Sequence, residues 1–381
     1  MADPPRHGAG LGQPRRLAGR GPTQFERALV RGYGAVMRIL FSSVVAFLTD
    51  AGMAGYLGER TLLPAGPDTV ALLAEVERRT GGGDARHPGA AAVELFAGAR
   101  IDSTFDEALA QARKFGPDVV VCEAVDFVGP MVAAALDVPW ASHAISAPLP
   151  EPLYGMMVER GAVQHASRGL RPRNRFALVD PAPDALRSPD DPARPEDLIV
   201  LRPTAHRGSG GSEPQLPAGK PLVLVTVGTS VQEPELVADL VGSVTRAGYE
   251  VVVTTEPGTL PPNPLAHEIG FVPLARLLPS VDAVVGAAGS GTVMATLASG
   301  LPAVLRPVLA DQPWNAQRVV AAGAGIAIED PAEAGPAVRT VLTEPAYRAA
   351  ARAAADSIRS MPSPEEALTE LLARADASGQ L

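Results

Sequence analysis

The stretch Val284-Val285-Gly286-Ala287-Ala288-Gly289-Ser290-Gly291-Thr292 contains an apolar run, a turn of small residues and the beginning of a helical pattern. Small residues allow backbone N–H groups to approach an anion closely, and a helix N-terminus adds partial positive charge. The stretch therefore predicts a strand, a turn and a helix with an anion site at the turn. The same composition also suits tight packing of a helix on a strand, so both interpretations stay open at this point.

Short apolar runs alternate with helical patterns on both sides of this stretch. The predicted strands are Leu222–Val227, Glu250–Thr254, Ile269–Val272, Ala283–Val285, Ala303–Leu305 and Ile326–Ile328. The predicted helices are Pro234–Ala247, Thr292–Ser299 and Pro313–Ala322. This alternation favours a doubly wound parallel sheet, whose ligands bind at the carboxyl ends of the strands.

A similar alternation occupies the first half of the chain. Strands are predicted at Asp118–Cys122 and Val138–Ser142, and helices from Val70 to Gly81, from Ser103 to Lys114 and over Pro130–Leu136. The apolar run Ile39–Leu48 is interpreted as a buried first strand of a parallel sheet. Because this run follows Met37-Arg38, it would also serve as the core of a signal peptide if translation began at Met37.

The length of 381 residues predicts two domains of ordinary size. Residues 1–36 are rich in Pro, Gly and Arg without periodicity, which predicts a disordered extension, or a start codon assigned too early. Residues 37–150 are expected to form the N-terminal domain and 221–381 the C-terminal domain with its terminal helices. Residues 151–220, rich in Pro, Asp, Arg and Gly, are expected to form a linker with some ordered pieces.

Bulk composition excludes several classes of function. The net charge is −9, from 33 basic and 42 acidic residues, which argues against broad binding to nucleic acid or to an anionic membrane. No apolar run reaches membrane-spanning length. Cys122 is the single cysteine, so no internal disulfide can form, which fits a cytoplasmic protein.

Two further polar segments follow strands of the second half. Val227-Gly228-Thr229-Ser230 ends the first of these strands, and its N–H and hydroxyl groups are expected to share one diphosphate with the Gly289–Thr292 turn. Asp311 and Gln312 follow the strand Ala303–Leu305 and combine a carboxylate with an amide, which suits vicinal sugar hydroxyls. Helix capping by Asp311 or Gln312 is the structural alternative.

These segments together resemble the family-1 glycosyltransferases, in particular the actinobacterial enzymes that attach sugars to natural products. The resemblance runs from about Phe115 to Ala373 and is densest at Phe271-Val272-Pro273-Leu274, at Gly289–Thr292 and at Ala310–Ala316. It implies the GT-B fold, an α/β architecture in which two Rossmann-like doubly wound parallel-sheet domains face a cleft. The N-terminal domain is shorter than the family pattern.

The resemblance also implies roles for individual residues. Phe271 and Leu274 would flank the nucleotide base. The diphosphate would be held by Thr229, Gly289, Ser290, Gly291 and Thr292, and the donor sugar by Asp311 and Gln312. The implied reaction is inverting transfer of a sugar or deoxysugar from a dTDP- or UDP-sugar to a hydrophobic acceptor, with no metal and no cofactor. A homodimer or a partner glycosyltransferase is the implied form of assembly.

The sequence departs from the family pattern at two places. Ala287 stands where the family has a histidine that contacts the diphosphate, and the segment Val44–Asp50 lacks the histidine that serves as general base. Asp126 and His143 are the candidate catalytic residues, and Asp50 and Glu123 are further carboxylates near strand ends. The alternative functions are a catalytically degenerate homologue that acts as an auxiliary binding subunit, and a GT-B enzyme repurposed for another reaction.

Overall fold

The computed structural model describes most of the chain from Met37 to Ala377. The described residues are 37–40, 45–51, 61–145, 147–189, 191–205, 216–217, 221–228, 231 and 233–377. Residues 1–36, where the extension was expected, and Thr229, expected at the diphosphate, lie outside them. Within the described residues, no helix is both long and apolar enough to cross a membrane.

Seven strands of the described residues form the first sheet, in the order β3-β2-β1-β4-β5-β6-β7. They are β1 (Met37–Leu40), β2 (Val45–Thr49), β3 (Thr61–Pro64), β4 (Val119–Glu123), β5 (Trp140–His143), β6 (Ala177–Asp180) and β7 (Leu198–Val200). All neighbouring pairs are parallel except those of β1, which is antiparallel to both β2 and β4. Strands β2 and β4 therefore run in the same direction and end at the same edge of the sheet.

The run Ile39–Leu48, predicted to be one parallel strand, is divided between two strands. Met37 lies opposite Leu48 and Leu40 lies opposite Val45, so β1 and β2 form an antiparallel pair. This prediction was wrong because apolar composition alone does not distinguish one buried strand from two that pair with each other. The first sheet is consequently mixed, with one antiparallel strand among parallel ones.

Five helices of the described residues accompany the first sheet. They are α1 (Thr69–Thr80), α2 (Ala90–Glu94), α3 (Arg100–Phe115), α4 (Val128–Leu136) and α5 (Glu151–Ser167). Helix α1 ends at Gly81, as predicted, and Gly116 ends α3; both glycines adopt the left-handed conformation at φ 70° and 65°. A π-helical turn at Leu95–Ala99 joins α2 to α3.

The start predicted for α3 at Ser103 was wrong. Helix α3 begins at Arg100 and continues directly from the π-helical turn. The Ser103 hydroxyl donates 2.8 Å to the Ala99 carbonyl, one turn earlier, and therefore does not cap the helix. A serine followed by an acidic residue three positions later matches the capping pattern by sequence but here lies inside a helix.

Six strands of the described residues form the second sheet, in the order β10-β9-β8-β11-β12-β13, and all neighbours are parallel. They are β8 (Leu222–Thr226), β9 (Glu250–Val253), β10 (Ala266–Glu268), β11 (Ala283–Gly286), β12 (Ala303–Leu305) and β13 (Gly325–Ala327). The central strands β8 and β11 are buried along their whole length, as expected for strands covered on both faces.

Seven helices of the described residues follow in the second half of the chain. They are α6 (Pro234–Arg246), α7 (Leu274–Leu277), α8 (Ser290–Ala298), α9 (Gln312–Ala321), α10 (Ala334–Thr343), α11 (Pro345–Ser360) and α12 (Pro364–Ala377). The strand predicted at Ile269–Val272 is replaced by β10, three residues earlier. Residue Gly270 adopts a left-handed conformation at φ 66°, which interrupts an extended segment there.

The domain boundaries differ from the expected ones at two places. Residues 151–220, expected to form a linker, contribute α5, β6 and β7 to the first domain. The last helix, α12, was expected in the C-terminal domain. Its buried face, at Ala367, Leu371 and Ala375, instead packs on β4, β5, β6 and β7 of the first sheet. The chain therefore returns to its first domain at its end, which no local pattern indicates.

Candidate functional site

The turn between β11 and α8 lies at the carboxyl end of the second sheet, where an anion site was predicted. Gly286 is level with Thr226 of the neighbouring strand β8, so the turns after β8 and β11 begin side by side. A Cβ at Gly286 would stand 2.7 Å from the Thr226 carbonyl oxygen, which shows that the two strands need a glycine there. The two turns predicted to share one diphosphate thus leave the same edge of the sheet.

The turn itself is held in a demanding conformation. Ala288 adopts a left-handed backbone at φ 62°, which costs a residue with a Cβ roughly 1–2 kcal/mol. The Asn315 side chain donates 3.0 Å to the Ala288 carbonyl and holds it in place. Strain of this kind persists where surrounding contacts support it, and it is concentrated at functional sites.

Among the described residues, little stands in front of the N-terminus of helix α8. Gly289 precedes the helix and offers no side chain that could cap it. A Cβ built on Gly291 would meet no atom of the described residues within 4 Å, and Gly291 is exposed. The first-turn N–H groups of an α-helix have no partner inside the helix, so this end can receive an anion.

Asp311 and Ser290 are in direct contact. The Ser290 hydroxyl donates 2.5 Å to Oδ2 of Asp311, and Asn315 donates 2.8 Å to the same oxygen and 3.1 Å to the Ser290 Oγ. The Asp311 side chain does not cap α9, so the capping alternative is not what the structure shows for this residue. Oδ1 of Asp311 accepts no hydrogen bond from the described residues and can accept one from a ligand.

Gln312 is buried and supports the loop that precedes α9. Its Oε1 accepts 2.8 Å from the Val308 N–H and 2.9 Å from the Leu309 N–H. Gln312 was predicted to bind the donor sugar, but the oxygen of its side-chain amide instead holds the loop in place. The Nε2 group is the part of this side chain that remains for a ligand.

Phe271 and Leu274 lie at the turn before α7 and at its first residue. Phe271 is 70% exposed, an unusual degree for an aromatic side chain, while Leu274 is partly buried in a core cluster with Val272 and Leu278. Helix α7 packs against α8, the helix that begins at the predicted anion site. An exposed ring such as Phe271 has the properties needed for stacking on a base.

The two candidate catalytic residues lie at the carboxyl edge of the first sheet. Asp126, just after β4, is buried and accepts 2.8 Å from the Val128 N–H and 3.3 Å from the Gly129 N–H. Burial raises the pKa of this carboxyl, and the two N–H groups and Arg100 oppose the rise. His143, the last residue of β5, is buried as well.

Arg100 was not predicted to be a site residue, although several carboxylates at or after the ends of strands of the first sheet act on its charge. Burial lowers the pKa of its guanidinium, and attraction by Asp126, Glu123 and Asp50 opposes that effect. Its Nε is buried without a hydrogen-bond partner in the described residues. Arg100 directly follows the π-helical turn, a feature that often marks functional sites. This turn is seen in the structure but not in the sequence, so the sequence did not point to Arg100.

An apolar cluster joins the two domains beside the donor residues. Trp314 of α9 packs on a cluster that includes the buried residues Leu153 and Met157 of α5, and Phe96, Phe127 and Leu149 pack on the same cluster. Trp314 is three residues beyond Asp311, so apolar surface of the first domain contacts the helix that Asp311 precedes. The sequence did not indicate this cluster, because its members come from separate elements.

Comparisons with known proteins agree with this geometry. Residues 238–373 match the family model described as "Erythromycin biosynthesis protein CIII-like, C-terminal domain". The chain is 31% identical over 267 residues to the L-demethylnoviosyl transferase of Streptomyces niveus, covering 65% of this chain and 69% of that protein. It is 29% identical over 282 residues to the elloramycin glycosyltransferase of Streptomyces olivaceus, covering 68% and 69%.

Solved structures give the same result for the fold. The Streptomyces sp. SF2575 glycosyltransferase complexed with thymidine diphosphate superposes with a TM-score of 0.72 at 25% identity, covering 86% of this chain and 90% of that one. The spinosyn forosaminyltransferase superposes with a TM-score of 0.70 at 21% identity, covering 86% and 90%. The two facing Rossmann-like domains of the GT-B fold are therefore confirmed. The chain belongs to the actinobacterial family-1 glycosyltransferases of natural-product biosynthesis.

Proposed function

We propose that the protein transfers a sugar or deoxysugar from a dTDP- or UDP-sugar to a hydrophobic natural-product acceptor, with inversion at the anomeric carbon. The observation that carries this proposal is the 2.5 Å hydrogen bond from Ser290 to Asp311. It places a carboxylate suited to sugar hydroxyls directly beside the open helix N-terminus suited to a diphosphate. A nucleoside diphosphate sugar has these two groups adjacent to each other.

The proposed donor contacts follow the positions of the side chains. The base lies at Phe271 and Leu274, the diphosphate at the α8 N-terminus and the sugar at the start of α9. The donor-binding set is Thr229, Phe271, Leu274, Gly289, Ser290, Gly291, Thr292, Asp311 and Gln312. The thymidine diphosphate bound to the Streptomyces sp. SF2575 relative supports a dTDP-linked donor.

The proposed chemistry is a single displacement. An acceptor hydroxyl attacks the anomeric carbon while the bond to the β-phosphate breaks, so the configuration at that carbon inverts. Negative charge grows on the departing diphosphate, and the first-turn N–H groups and dipole of α8 are oriented to stabilise it. No metal is needed in this scheme, and transfer that persists in excess EDTA would support that part of the proposal.

Proton removal from the acceptor is assigned to Asp126 or His143. Both stand at the carboxyl edge of the first sheet, which faces the acceptor side of the cleft in the proposed arrangement. A raised carboxyl pKa improves a carboxylate as a base near neutral pH, and burial raises that of Asp126. However, its two backbone hydrogen bonds also give Asp126 a structural role at the start of α4.

A hydrophobic acceptor is favoured by the apolar cluster at Trp314. Phe96 and Phe127 of the first domain pack on the same buried residues as Trp314, which is three residues beyond Asp311. The names of the two relatives, a demethylnoviosyl transferase and an elloramycin glycosyltransferase, support an acceptor from natural-product biosynthesis.

Calorimetry with dTDP, UDP and a matching sugar nucleotide tests the donor site. We expect micromolar binding of one nucleoside diphosphate. Asp311→Ala should weaken the sugar nucleotide and leave the free nucleoside diphosphate unaffected, since Asp311 is assigned to the sugar. Asp118→Ala is the matched control. Its carboxylate is exposed and lies at the amino-terminal end of β4, at the edge of the first sheet opposite to the carboxyl ends of the parallel strands.

The same experiment separates the alternatives. Absence of binding to any nucleoside diphosphate would contradict the proposal and favour an auxiliary subunit. Binding of a sugar nucleotide without transfer to any of a panel of polyketide-type phenols and alcohols would favour the catalytically degenerate homologue. An equal loss of dTDP and dTDP-sugar affinity in Asp311→Ala would remove the sugar assignment of Asp311.

A further inference from the structure

The loop between α1 and α2, residues 81–89, belongs to the first domain but contacts the donor half of the molecule. The Arg86 carbonyl accepts 2.9 Å from the N–H of Ala310, the residue before Asp311. Ala310 has a left-handed backbone at φ 53°, an uncommon conformation for alanine, and this bond secures it. The loop is therefore fixed at one end of the proposed donor site.

The charged groups around the Arg86 side chain come from both halves of the chain. The carboxylate of Asp84, and at longer range that of Glu233, raises the pKa of the Arg86 guanidinium. Glu233 precedes α6 and follows the turn after β8. Ala310 follows β12, and β11 lies between β8 and β12 in the sheet. Ala310 is followed by Asp311, which accepts a hydrogen bond from Ser290 in the first turn of α8, so the Arg86 backbone lies two contacts from the N-terminus of that helix.

Asp84 keeps the guanidinium in a fixed orientation. It accepts 2.9 Å from the Arg86 backbone N–H and 2.9 Å and 2.8 Å from Nε and Nη2 of the side chain. Nη1 has no hydrogen-bond partner among the described residues. The neighbouring Ala85 is buried in the core cluster of α1 and α2, which anchors the loop. The cation is thus oriented in advance and still has free donors.

The turn after β11 supplies no cationic side chain of its own. Residues Gly286 to Gly291 carry no charged side chain, and Ala287 is an apolar, buried residue. A helix N-terminus supplies only about half of a positive charge, whereas each phosphate of a nucleoside diphosphate is ionised. An arginine is the side chain best suited to bridge phosphate oxygens.

We propose that Arg86 of the first domain binds the diphosphate of the donor across the interdomain cleft, opposite the N-terminus of α8. This inference rests on the proposed function, because it presupposes a nucleoside diphosphate at α8. Its consequence is that the donor is held by both domains, with the loop at residues 81–89 already in contact with the second domain through Ala310. Arg86 is a binding and positioning residue in this scheme.

Calorimetric titration of the full chain with dTDP and with dTMP tests the proposal. Arg86→Gln is expected to weaken dTDP about tenfold or more, the effect of losing one charge-assisted hydrogen bond, and to weaken dTMP by less. Raising the salt concentration should reduce dTDP affinity more steeply in the wild type than in Arg86→Gln. Arg86→Lys should recover part of the affinity, because it keeps the charge without the planar donors.

Arg78→Gln is the matched control. Arg78 is also an exposed arginine of the first domain, but it belongs to helix α1 and is paired at 2.7 Å with Glu75 of the same helix. Melting temperatures of all variants show whether each is folded. A dTDP affinity of Arg86→Gln within twofold of the wild type, or an equal loss for dTDP and dTMP, would overturn the proposal. If the wild type binds neither dTDP nor UDP, the proposed function fails and this inference fails with it.

Discussion

Replacing Gly291 with alanine distinguishes an anion site from a packing site at the turn after β11. A Cβ at this position meets no atom within 4 Å in the part of the chain that the structure describes, so none of those neighbours has to move. Alanine is also favoured over glycine in a helix, by roughly 0.5–1 kcal/mol in helix interiors. We therefore expect the free energy of unfolding of Gly291→Ala to equal or exceed that of the wild type by up to about 1 kcal/mol.

The same methyl group would stand where a phosphate approaches the first-turn N–H groups. Displacing a phosphate oxygen from one such hydrogen bond forfeits about 1.5–3 kcal/mol, which corresponds to at least a tenfold loss of dTDP affinity. Stability and donor binding should thus change in opposite directions. Urea denaturation measures the first quantity and calorimetry with dTDP measures the second.

Gly286→Ala provides the contrast within the same turn. Its Cβ would lie 2.7 Å from the Thr226 carbonyl oxygen, so β8 and β11 would have to separate. We expect a loss of unfolding free energy of about 1–3 kcal/mol or more. If Gly291→Ala instead destabilised the protein as Gly286→Ala does and bound dTDP as the wild type does, the small residues would serve packing alone and the anion site would be refuted.

Three further substitutions probe the fold, the base and the interdomain loop. Leu371→Ala should lower the free energy of unfolding by about 2–5 kcal/mol in urea titrations, because Leu371 is 2% exposed between α12 and the first sheet. An unchanged urea midpoint would show that α12 does not stabilise that domain. Phe271→Ala should leave stability within about 0.5 kcal/mol, since the ring is 70% exposed, but should weaken dTDP about tenfold in calorimetry through lost base stacking. The guanidinium of Arg86 lowers the pKa of Asp84 from 3.8 to about 2, so the stability from this pair is fully present above the unfolded pKa and is lost as pH falls toward 2. The difference in unfolding free energy between wild type and Asp84→Asn should therefore shrink on acidification from pH 6 to pH 3, and a constant difference would contradict the pairing.

Local features of the chain were largely predictable from the sequence. The alternation of strands and helices, the turn between β11 and α8 and the helix end at Gly81 each depend on a few consecutive residues. Hydrophobic period, small-residue turns and left-handed glycines act over that range, so the pattern alone indicated two Rossmann-like domains and an anion site near Gly291.

Contacts between distant segments were decided only by the tertiary structure. The hydrogen bond from Ser290 to Asp311 joins residues 21 positions apart. Longer intervals separate the partners in the pairing of β1 with β4, the return of α12 to the first sheet and the contact between Arg86 and Ala310. Nothing in the local sequence marks these partners, because the burial, charge and backbone geometry that join them exist only once both domains have packed. The residues proposed to bind an anion are consecutive in the chain and could be predicted from it, whereas the side chains that surround them come from distant segments and are brought together only by folding.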